Sequence, residues 1–125
     1  MKKLTPVIVV EEIESALPFW TGLGFTLDTS VPEGDRLGFA ILSHGTVEVM
    51  YQSMESVRKD IPALASLSRT NLFIEVEKLE QLIHGLKGYE VTVPLRDTFY
   101  GSKEYGVRAP CGTCVTFAEF PPSEA

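Results

Sequence analysis

Residues 6–10, PVIVV, are a short apolar run rich in β-branched side chains, the pattern of a buried strand. In the next stretch, EEIESALPFWTGLG, the period changes. Ile13, Ala16, Leu17, Trp20 and Leu23 recur at helical spacing. Glu11 and Glu12 suit the positive end of a helix, and Gly24 suits the cap at its other end. Pro18 fits poorly inside a helix and predicts a kink or a late start. FTLDTSV, RLGFAIL and TVEVMYQ then read as strands, separated by the turn sequences PEGD and SHG.

The stretch SMESVRKDIPALASLSR breaks this pattern and reads as a connector, with Asp60 ahead of Pro62 marking the start of a short helix. The pattern then restarts. TNLFIEV is a strand. EKLEQLIHGLKG is a helix with Leu79, Leu82, Ile83 and Leu86 on one face and Gly88 as its cap. YEVTVPL, EYGVRA and TCVTFAEF are strands, and PPSEA is a frayed tail. The order is βαβββ, connector, βαβββ. Gly24-Phe25 corresponds to Gly88-Tyr89, and Gly45-Thr46 to Gly112-Thr113. The expected organisation is one domain over 1–125. A first module spans 4–53, a connector 54–68, a second module 69–120 and a tail 121–125.

Composition narrows the function classes. A chain of 125 residues is one domain's worth, with 44% hydrophobic and 22% charged residues. The net charge is −6, and lysines and arginines are scattered, so the basic footprint of a nucleic-acid binder is missing. No apolar run reaches the ~20 residues of a membrane span. No signal peptide is legible, so the expectation is a cytoplasmic protein with reduced thiols.

Two stretches carry a family resemblance: ALPFWTGLGFTL, a helix ending in an aromatic pair and then LGF, and FYGSKEYGVRAPCGTCVTFAEF, two closing strands around a turn. With the paired βαβββ order, the chain resembles the vicinal oxygen chelate superfamily. That superfamily includes glyoxalase I, bleomycin resistance proteins and extradiol dioxygenases. The resemblance is nearest to the metal-free, bleomycin-resistance-like members. It implies an α+β fold in which two βαβββ modules form a curled mixed sheet around a cleft, with helices on the outer face. It also implies a homodimer. Strand alternation then places Ile8, Val10, Val47, Val49, Tyr51, Leu72, Ile74, Val115 and Phe117 under the helices. Thr5, Val7, Val9, Glu48, Met50, Asn71, Phe73 and Thr116 face the cleft.

Metal-dependent relatives place one ligand on each of four strands. By motif those positions fall on Thr5, Glu48, Asn71 and Thr116. Only Glu48 is a strong ligand, and one carboxylate does not hold a divalent ion against water. His44 and His84 do not repair the set. No metal, no cofactor and no catalytic residue is therefore expected, and Asp97, Glu104 and Glu48 have no pairing visible in sequence. What remains is an acidic, aromatic cleft suited to a planar or cationic guest. The candidate ligand-binding residues are Phe39, Glu48, Met50, Asn71, Phe73, Tyr100, Tyr105 and Thr116. The loop DTFYGS borders the cleft in the resembled family. The reading is non-catalytic sequestration of a small molecule. The alternatives are a glyoxalase- or dioxygenase-like enzyme with unusual ligands, a metal-free isomerase, or a dimeric regulatory module with a vestigial cleft. The CxxC of APCGTC reads as a hairpin turn. No helix follows to activate a thiol, and no further zinc ligands lie nearby. Opposed across a hairpin, Cys111 and Cys114 would lie within disulfide reach.

Overall fold

The β-branched run becomes β1, Val7–Val10, and its alternation of exposed and buried residues sets the pattern for the first sheet. The computed structural model describes residues 3–60, 71–99 and 101–122. A 3-10 turn, Glu14–Ala16, leads into α1, Leu17–Gly22. Pro18 lies in the first turn of α1, where its missing N–H costs nothing, so it starts the helix late rather than kinking it. β2 is Thr26–Glu33, β3 Arg36–His44 and β4 Val47–Ser53. The sheet order is β1-β4-β3-β2, with β1 parallel to β4 and the other pairs antiparallel. α2, Met54–Asp60, follows directly. The helix expected to start at Asp60, ahead of Pro62, falls on residues 61–70, which lie outside the described residues.

The second unit repeats the plan. β5 is Asn71–Glu75, α3 Leu79–His84, β6 Val91–Asp97, β7 Lys103–Arg108 and β8 Cys114–Glu119. The order is β5-β8-β7-β6, with β5 parallel to β8. Each unit is therefore a βαβββ module with a mixed four-stranded sheet, and the fold is α+β. The two units are Met1–Ser68 and Arg69–Ala125. α3 is shorter than its hydrophobic period predicts. Gly85, a weak helix former, ends it, and turns carry the chain on to buried Leu86 and to Gly88. Among the described residues no helix is long and apolar enough to cross a membrane.

Each sheet buries one face under its helix. In the first unit Ile8, Val10, Ala40, Leu42, Val49 and Tyr51 are buried with Ile13, Ala16, Phe19 and Trp20. Trp20 packs edge-on to Phe19 and Phe25, and its indole N–H donates to the Tyr51 hydroxyl at 2.7 Å. Val47 departs from expectation. It is 41% exposed, because it lies at the start of β4 beside the turn, beyond the reach of α1. In the second unit Val107, Val115 and Phe117 are buried with Leu79 and Leu86. No side chain at the N-cap of α3 satisfies its first amides; instead the Leu79 N–H donates to Glu119 Oε1 at 2.8 Å.

Gly106 on β7 carries a packing constraint. A Cβ there would stand 2.9 Å from Val93 Cγ2 and 3.1 Å from Thr92 Oγ1, where β6 bulges over β7. Gly106→Ala is expected to destabilise the protein by about 1–2 kcal/mol through overpacking. The shift in urea midpoint checks this, and an unchanged midpoint would refute it.

Candidate functional site

The face opposite α1 and the face opposite α3 are the sheet surfaces that carry most of the candidate residues. Register assigns them to rows, because directly paired residues share a face. In the first unit one row is Ser43 beside Glu48, with Thr5 just ahead of β1. The next is Ile41, Met50 and Val7, and the third is Phe39, Gln52 and Val9. Phe39, Ile41, Met50 and Val9 are half-buried, and Val7 is exposed. The result is an apolar strip with one carboxylate at its end.

Glu48 is a paired group. Lys3 Nζ lies 2.9 Å from its Oε1, and the Thr5 hydroxyl donates to the same oxygen at 3.4 Å. Its side chain is 19% exposed, against 54% for Lys3.

In the second unit the corresponding rows are Asn71, Cys114 and Arg108; then Phe73, Thr116 and Gly106; then Glu75, Ala118 and Glu104. Phe73 is 56% exposed. Arg108 donates to Glu90 at 2.6 Å, and that hydrogen bond raises its pKa above the ordinary arginine value. Glu104 is 1% exposed. Arg96 reaches it from β6 with Nη2 at 2.9 Å and Nε at 3.3 Å from Oε1, and the Ser102 hydroxyl donates to Oε2 at 3.2 Å. Ser102 in turn bonds Thr98, which closes the hairpin loop between β6 and β7. This network was not legible residue by residue. Its signal is the mirrored charge pattern Arg96-Asp97 and Lys103-Glu104 on either side of the loop, which the hairpin register pairs.

Phe39, Glu48 and Met50 thus share one face of the first unit, and Asn71, Phe73 and Thr116 one face of the second. Tyr105 is a correction. It pairs with Phe117 and lies on the α3 side, opposite to Phe73 and Thr116. Tyr100 lies outside the described residues.

The four motif-derived metal positions do not form a donor set. Phe73, not Asn71, is the register neighbour of Thr116, and Asn71 pairs with Cys114. Glu48 is the one carboxylate among the four, and a single carboxylate does not hold a divalent ion against water. Among the described residues no three His, Cys, Asp or Glu side chains group to hold a metal. His44 ends β3 and stacks against Phe25, and His84 ends α3. The donors present do not fit a divalent ion.

The cysteines also need correction. The residue opposed to Cys114 is Arg108, while Cys111 belongs to the 3-10 turn Pro110–Gly112. The Ala109 N–H donates to the Thr113 carbonyl at 2.7 Å, and Gly112 adopts φ +101°, which favours glycine. APCGTC is a turn, and the cross-hairpin geometry invoked for a disulfide does not apply. A groove of about 330 Å³ lies beside α3, lined by Lys78, Leu95, Lys103 and Glu119 among others. It is on the helix side of the sheet, holds none of the candidate residues, and its Glu119 carboxylate is committed to capping α3.

A search among curated proteins finds no match. Solved structures do match. TioX from Micromonospora sp. ML1 superposes with a TM-score of 0.77 at 18% identity, covering 97% of this chain and 100% of that chain. The bleomycin-binding protein from bleomycin-producing Streptomyces verticillus, complexed with copper(II)-bleomycin, gives 0.67 at 23% identity, covering 98% of each chain. Lactoylglutathione lyase from Agrobacterium tumefaciens gives 0.75 at 11% identity, covering 95% of this chain and 94% of that one. At these identities the likeness is one of fold. A family profile described as Glyoxalase/Bleomycin resistance protein/Dioxygenase superfamily matches residues 4–117, which takes in both βαβββ units, and the chain belongs to that superfamily.

Proposed function

We propose that this protein binds a small molecule and sequesters it without transforming it, in the manner of the bleomycin-binding relative. The observation that carries the reading is the strip of Phe39, Ile41, Met50 and Val7, which ends at a carboxylate and lacks a metal donor set. A superfamily scaffold without those donors has no evident source of electrophilic chemistry, whereas an apolar strip with a polar end can orient a guest. A flat guest that hides about 150 Å² of apolar area gains roughly 4 kcal/mol. Losing free motion on binding costs at least that much, so a polar anchor must add to the affinity.

A thermal-shift screen of aromatic and cationic compounds tests this. A true ligand at a hundred times its Kd is expected to raise Tm on the order of 10 °C. Phe39→Ala and Met50→Ala should reduce that shift while leaving the unliganded protein folded. The reading fails if no compound shifts Tm, or if the shift appears only with a stoichiometric divalent metal.

A further inference from the structure

We infer that Glu48 anchors the ammonium group of an amine ligand, and that Lys3 Nζ holds this position until the ligand displaces it. This rests on the binding function proposed above and names the chemical class of its ligand. Three features carry it.

First, the position already accepts an alkylammonium. Lys3 Nζ is 2.9 Å from Glu48 Oε1, and the Thr5 hydroxyl completes the cradle on the same oxygen. Both contacts fall on Oε1, which leaves Oε2 without a hydrogen bond among the described residues.

Second, the occupant is easy to displace. Lys3 is on the exposed segment ahead of β1, beside Leu4 at 91% exposure, and more than half of its side chain is in water. Exposed ion pairs hold their partners by a factor of about five or less. A released Lys3 is fully solvated, while Glu48 stays largely covered and in need of a cation.

Third, the neighbouring row sets the shape of the guest. Met50, with Val7 and Ile41 in register, is the next same-face position along β4. Same-face residues on a strand stand about 7 Å apart. An ammonium at Glu48 therefore puts an apolar body one or two carbons away onto Met50, which describes an arylalkylamine. The net charge of −6 adds a general attraction for cations.

The test is an NMR titration of the amides of Val47 to Met50 with phenethylammonium and with neutral 2-phenylethanol. It is run on the natural protein, Lys3→Met and Glu48→Gln. Lys3→Met is expected to tighten phenethylammonium about three- to fivefold, because the competing ammonium is gone. Glu48→Gln should weaken it at least about fivefold, and 2-phenylethanol should bind all three proteins within about twofold. The inference is overturned if Lys3→Met leaves the amine's Kd unchanged or weaker, or if Glu48→Gln leaves it unchanged. If both compounds bind this face equally in all three proteins, the charge anchor falls and the binding function stands. If neither compound shifts these resonances, the amine anchor falls, and the thermal-shift screen decides the binding function.

Discussion

Replacing Trp20 with alanine is expected to cost about 3–5 kcal/mol, the range for deleting a large buried aromatic. Trp20 has no exposed surface and is wedged between Phe19 and Phe25 at ring distances of 5.1 and 4.9 Å. Its indole N–H is satisfied by Tyr51, so the side chain ties α1 to β4 with a hydrogen bond as well as with packing. Tyr51→Phe probes that second contribution. It leaves a buried indole N–H without its acceptor, which costs about 1–3 kcal/mol with little change in volume. Urea unfolding followed by far-UV circular dichroism is the right probe, because the substitution removes the chain's single tryptophan. A loss below about 1.5 kcal/mol for Trp20→Ala would mean that the site collapses freely and that α1 is not pinned as described. The consequence for function is direct. Tyr51 lies on the strand whose other face carries Glu48 and Met50, so disturbing the Trp20 contact disturbs the face proposed above to bind the ligand.

The two-module fold was legible because its signals are local. Strand period, glycine punctuation and the late-start proline are each set within a few residues. All eight strands follow from them with ends shifted by a residue or two. The errors also have local causes. Residues 54–60 show no strand period and read as connector, but they form α2 with Val57 buried. In EKLEQLIHGLKG the apolar period runs past Gly85, a weak helix former at which α3 ends.

The site was legible by half. Alternation placed Glu48, Met50, Phe73 and Thr116 on the faces opposite the helices, because the period of a strand is two and the buried set is unmistakably aliphatic. Alternation alone leaves register open, and register decided the rest. Tyr105 pairs with Phe117 and so takes the helix side, and Thr116 has Phe73 as its neighbour. The partners of charged groups were beyond reach for the same reason. Lys3 reaches Glu48 across 45 positions of chain, a pairing that exists only once β1 lies beside β4.

Arg96→Met is expected to destabilise the second unit by about 2–4 kcal/mol, more than Glu104→Leu at the same ion pair. Removing one partner of a buried pair leaves an uncompensated charge and commonly costs 3–5 kcal/mol. The lower range applies because the Arg96 side chain is 57% exposed, so water replaces part of what it supplies. The two partners are far from equivalent. Glu104 is 1% exposed, with Arg96 and Ser102 among the groups that compensate it, whereas the Arg96 side chain is 57% exposed and keeps water within reach. Glu104→Leu also fills its own space with apolar volume, so its cost should stay under about 1.5 kcal/mol. The double substitution should then cost no more than Glu104→Leu alone, a coupling of about 2–4 kcal/mol from urea unfolding of the four proteins. If Arg96→Met costs less than Glu104→Leu, the carboxylate does not depend on the guanidinium, and some other group compensates it. The same pair closes the loop that carries fully exposed Phe99, and Thr98 and Ser102 complete that closure. Arg96→Met should therefore broaden the amide resonances of the loop, while Glu104→Leu keeps the strand ends packed and broadens them less.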